Sequence, residues 1–92
     1  SADAALDRAE RATTVGGVVD PDRLRRVEVP GTATAVELEA NGERWLAASG
    51  PDAPGPPGVR SSEAVAVAER RVTVRVAPGE NVRGTLRAVV WR

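Results

Sequence analysis

The sequence predicts a small, mainly β domain: an antiparallel β-sandwich or small barrel of about six strands, preceded by a short N-terminal α-helix. Three observations carry this expectation. From Arg26 onward, apolar residues recur at every second position, the period of a half-buried strand. Turn signals interrupt those runs at Pro30-Gly31, Asn41-Gly42 and Pro78-Gly79. Only the opening segment carries an apolar stripe at helical spacing.

That segment, residues 3–12, is rich in Ala and Leu, which favour helix. Ala5, Leu6, Ala9 and Ala12 form its stripe, and Asp7 and Arg11 stand four apart in the order that helps a helix. A helix this short is marginal alone, so it is expected to dock on something or to continue a longer helix cut off before Ser1. Thr13, Thr14 and Val15, followed by Gly16-Gly17, stop it. Asp20-Pro21-Asp22 has the chemistry of a helix cap with proline at the first helical position, opening a single turn through Arg25.

Val27 and Val29 then alternate with Arg26 and Glu28, which predicts a strand ending at Pro30-Gly31. The next run is the clearest in the chain. Val36, Leu38 and Ala40 lie on one face, Glu37 and Glu39 on the other, and Asn41-Gly42 is a two-residue turn that demands positive φ. Counting from that turn sets Ala40 opposite Glu43, Glu39 opposite Arg44, Leu38 opposite Trp45 and Val36 opposite Ala47. Turn type, apolar face and the Glu39–Arg44 charge pair agree on one register. The Pro/Gly-rich loop 49–58 reads as a stiff connection. Residues 63–76 are β-prone, either one bent strand or two strands with a tight turn at Glu69-Arg70. Pro78 to Asn81 form a turn, and Thr85 to Trp91 close the domain. The chain is thus one domain, with residues 1–17 as helix and hinge and residues 24–92 as the β-domain.

Ninety-two residues bury a modest core. Here that core is built mainly from Val and Ala, without Phe, Tyr, Ile or Met, and without Cys to staple it. Either modest stability is therefore expected, or further burial against a partner, a copy of itself or a missing segment. Arginine supplies all thirteen cations and thirteen acids balance them, so the basic excess of a nucleic-acid binder is missing. No apolar run approaches the ~20 residues of a membrane span, so any membrane contact would go through a segment not present here.

The chain has no His, Cys, Lys or Tyr, which removes most side chains that act as general base, nucleophile or soft metal ligand. An enzyme is not expected, nor a cofactor or a metal. Glu37 and Glu39 share a face but read as a solvated strand surface. Ser61-Ser62 have no base. Trp45, opposite Leu38, reads first as core bulk, and Trp91 as an edge or contact. An exposed Trp can also stack on a sugar or anchor an interface, so Leu6, Trp45 and Trp91 are the candidate interface residues. Among the arginines, Arg71 and Arg75 project to one side with Thr73 and are the candidate anion-binding pair.

The final third, VTVRVAPGENVRGTLRAVVW (residues 72–91), resembles the closing part of prokaryotic extracellular Ig-like domains, in which a Val-rich strand leads through a Pro-Gly-Glu turn into an alternating last strand. The whole layout is similar to the soluble head of a type IV or archaeal pilin-like protein, in which an Ala-rich amphipathic helix precedes a β-domain. Residues 3–12 would be the end of that helix. Either resemblance implies an extracellular or cell-surface structural or assembly module with no catalytic residues, which associates with itself or with another protein. The alternative is a ligand-binding β-sandwich for carbohydrate or an anionic polymer.

Overall fold

The computed structural model describes residues 1–29, 33–48 and 64–91. The loop 49–58 and Ser61-Ser62 lie outside the described residues. The elements run α1 (Ala2–Thr13), β1 (Thr14–Val15), β2 (Val18–Val19), α2 (Pro21–Leu24), β3 (Thr34–Ala40), β4 (Glu43–Ala48), β5 (Ala64–Ala77) and β6 (Glu80–Trp91). The six strands form one sheet in the order β1-β2-β5-β6-β3-β4, curved into a half-barrel. The mainly β class, the strand number and the N-terminal helix agree with the expectation. The sheet is mixed rather than purely antiparallel, because β2 meets β5 in parallel through Val19–Val74.

The helix forms in the expected segment, but of the expected stripe Leu6 and Ala9 are buried, Ala5 is partly buried and Ala12 is exposed. Ser1 caps it, its Oγ accepting from the Ala4 N–H at 3.2 Å. Its buried face is Ala2, Leu6, Ala9 and Thr13, and the Thr13 hydroxyl is satisfied by donating to the Ala9 carbonyl at 2.7 Å. The stretch expected to be a hinge is instead a miniature hairpin. Gly16 and Gly17 both take positive φ, 59° and 81°, which makes the two-residue turn between β1 and β2. The Asp20 N–H donates to the Thr13 carbonyl at 2.8 Å and closes the hairpin against the helix end.

The short second helix follows as expected, with Asp20 Oδ1 accepting from the Asp22 N–H at 3.0 Å and Pro21 at its start. The strand expected at Val27 and Val29 does not form. Arg26 and Val27 fold back on the helix, their N–H groups donating to the carbonyls of Arg23 and Leu24. Val27 and Val29 still pack against the core without joining a ladder.

The β3–β4 hairpin has the expected register at every pair, Glu39–Arg44 and Leu38–Trp45 included. Asn41 and Gly42 have φ of 54° and 83°, as the tight turn requires. β5 is one continuous strand, so the alternative turn at Glu69-Arg70 is not made. It pairs with β6 along its length, with register irregularities between Ala64 and Ala66 and between Arg75 and Ala77.

Inward residues of β3, β5 and β6, among them Val36, Leu38, Val72, Val74, Leu86 and Ala88, share one core with the buried face of α1. Every leucine except Leu46 centres this core: Leu6, Leu24, Leu38 and Leu86 are at most 1% exposed, with Val19, Val36 and Val74 around them. At about 1.5–3 kcal/mol for each fully buried aliphatic side chain, these few residues dominate the stability of so small a domain. α1 lies across the inner face, against β5, β6 and β3, and α2 contacts both β4 and β5. α2 thereby bridges the gap that the half-barrel leaves open.

Candidate functional site

The residues with functional potential fall in three places. The first is the helix–sheet seam. Arg70 is in phase with the inward residues of β5, opposite Leu86, yet it is charged. Its guanidinium reaches back to the helix, 2.8 Å from Asp7 Oδ1 and 2.5 Å from Glu10 Oε1. Those two acids are three apart and share one helix face. Hydrogen bonding to Glu10 first, and then to Asp7, raises the Arg70 pKa above its ordinary value. Asp7 is therefore engaged by Arg70 rather than by Arg11, the partner that helical spacing suggested. Leu6, expected as a candidate interface residue, is only 1% exposed in the chain's own core and presents no surface to a partner.

The second place is the outer face of the β5–β6 ribbon. Arg71, Thr73 and Arg75 alternate there as expected, opposite Thr85, Arg83 and Asn81. Arg71, Arg75 and Arg83 are exposed. Arg87 stands in register between Glu69 and Glu37, with its Nε 3.4 Å from Glu69 Oε1. Glu39 and Arg44 are opposite one another, but no ion pair closes between them. On an exposed strand face water screens the charges, and fixing two long side chains costs entropy.

The third place is an open cleft of about 340 Å³ at the seam between β4, the end of β5 and α2. Trp45 forms one wall. It is half-buried, with one side against the core and the rest on the cleft. Trp45 thus gives part of its ring to the core and leaves part of it exposed. Glu43, Asp22, Arg25 and Arg75 contribute polar groups around it. Arg25 sits 3.8 Å from Asp22. Asp20 caps α2 and lies 3.9 Å from Arg23. The side chains of Glu43, Trp45 and Arg75 make no hydrogen bond or ion pair among the described residues. Sequence reasoning missed this cleft because residues 20–25, 43–45 and 75–78 meet only in three dimensions.

Trp91 is half-buried and outside the core cluster. Its backbone N–H donates to the Ala33 carbonyl at 3.1 Å, fixing the end of the closing strand. Among the described residues no three acidic side chains are grouped to hold a metal ion, and no helix is long and apolar enough to cross a membrane.

Fold and site define a small half-barrel that cradles its N-terminal helix and carries an open, aromatic-walled cleft at its seam. A family model described as a family of unknown function, DUF7285, matches residues 1–91, and the chain belongs to that family. No curated protein and no solved structure matches it.

Proposed function

We propose that this chain is a non-enzymatic structural or assembly module of the cell surface, the head of a pilin-like subunit. The observation that carries the proposal is the seating of the amphipathic helix on the inner face of the half-barrel. Leu6 and Ala9 are 1% exposed there, and Arg70 bridges the helix to β5. A helix held this firmly can transmit force between its own axis and the β-domain, which a subunit of a filament must do. The composition supports the same reading, since a chain without His, Cys, Lys or Tyr has few groups suited to acid–base or nucleophilic work.

The outer surface offers contacts for neighbours. Leu46 and Val67 are 36% and 43% exposed on the face away from the helix. Among the described residues, β4 pairs only with β3, and β5 meets β2 through a single bridge. An edge strand such as β4 accepts a further strand readily. The test is photo-crosslinking of the full gene product in its native host, with a photoreactive residue at position 46 or 67. A ladder of covalent multimers in the surface fraction is expected. Recovery of uncrosslinked monomer from the cell interior would overturn the proposal.

A further inference from the structure

We propose that the cleft beside Trp45 is a binding site for a neutral saccharide. This assignment is independent of the assembly reading, because it rests on the seam between β4, β5 and α2 and on no contact between copies.

The cleft is built by elements whose positions are set elsewhere. Leu38 and the Asn41-Gly42 turn fix the register of Trp45. The Asp20 cap and Pro21 fix the start of α2, and Leu24, fully buried, anchors it. The indole is held by the core on one side and open to the cleft on the other. An aromatic face fixed in this way stacks on the C–H face of a sugar ring at little entropic cost. Its volume, about 340 Å³, falls at the low end of the range for small-ligand sites.

The unengaged groups select the ligand class. Asp22 is beside Arg25, and Asp20 is occupied by its cap and by Arg23. That leaves the Glu43 carboxylate, the Arg75 guanidinium and the Trp45 indole N–H without a partner among the described residues. One of these accepts hydrogen bonds and two donate them, and the two charges on the same cleft do not neutralise each other by contact. A hydroxyl both donates and accepts, so sugar hydroxyls satisfy Glu43 and Arg75 together through charge-assisted hydrogen bonds. A ligand with net negative charge would meet Asp20, Asp22 and Glu43, and one with net positive charge would meet Arg25 and Arg75. An uncharged polyol avoids both repulsions.

The test uses the full chain carrying Trp91→Phe, so that Trp45 is the sole fluorophore. Maltotriose, cellotriose and chitotriose are titrated, with trigalacturonate and free glycine for comparison. A saturable change in Trp45 emission with at least one neutral trisaccharide is expected. Glu43→Ala and Arg75→Ala should each weaken it about tenfold or more, as for loss of one hydrogen bond to a charged group. Both positions are exposed, so these variants keep the fold even if Trp45→Ala does not. The site assignment is overturned if no neutral sugar perturbs Trp45, if Glu43→Ala and Arg75→Ala leave the affinity unchanged, or if trigalacturonate or glycine binds more tightly.

Discussion

At the residue scale, Arg70 shows how one charge can organise a small fold. It occupies an inward position of β5 that the strand pattern would give to an aliphatic residue. Its guanidinium meets two helix carboxylates, Asp7 and Glu10. The bonds to Glu10 and Asp7 raise its pKa. A cation with a raised folded pKa contributes stability that is complete below its unfolded pKa and lost only as pH climbs through the folded one. For an arginine that window lies above the working range, so this contact is insensitive to deprotonation of Arg70 and sensitive to salt. Arg70→Ala should therefore lower Tm by at most a few degrees in dilute buffer. The difference from wild type should shrink in concentrated NaCl, measured by thermal unfolding at both ionic strengths.

At the element scale, β6 is the spine of the sheet, pairing with β5 on one side and β3 on the other. Gly84 lies on its inner side, between Ala40 and Val72 in register. A Cβ at this position would sit 2.5 Å from the Glu39 carbonyl oxygen and 2.8 Å from Val74 Cγ2. The backbone oxygen cannot move aside cheaply, because β3 is held by β4 and β6 together. Gly84→Ala should destabilise the domain by about 1–3 kcal/mol, the usual cost of overpacking a close-fitted core. Urea denaturation would measure it, and an unchanged midpoint would show that β3 can shift away from β6. The hairpins at this scale were legible to different degrees. Asn41-Gly42 announces its turn because long alternating runs flank it. Gly16-Gly17 makes the same kind of turn, but its strands are two residues each, too short for a period to register. Val27 and Val29 carry the opposite lesson. Their alternation is real and both are partly buried, yet their backbone turns back on α2 instead of meeting a strand.

At the scale of the whole molecule, the half-barrel leaves sheet edges that a closed barrel would not. Val67 lies on β5 near its sparsely paired stretch and is 43% exposed. Flat apolar edges promote association, and natural proteins commonly blunt them with lysine. Val67→Lys should leave Tm nearly unchanged, since a surface substitution of this kind usually stays within about 0.5 kcal/mol. It should shift the sedimentation profile of concentrated protein toward monomer, whereas equal self-association in both proteins would remove β5 from the contact.

The local pattern of the chain determined the N-terminal helix, the Asp20 cap of α2, the β3–β4 register and the mainly β class. Each of these depends on neighbours within a few residues, where periodicity and turn chemistry act directly. Only the tertiary structure decided that β2 runs parallel to β5, that Leu6 turns inward, that Arg70 clasps the helix and that Trp45 faces a cleft with Glu43 and Arg75. Those relations join residues distant in sequence, and they arise from how a curved sheet and two helices share one small apolar interior.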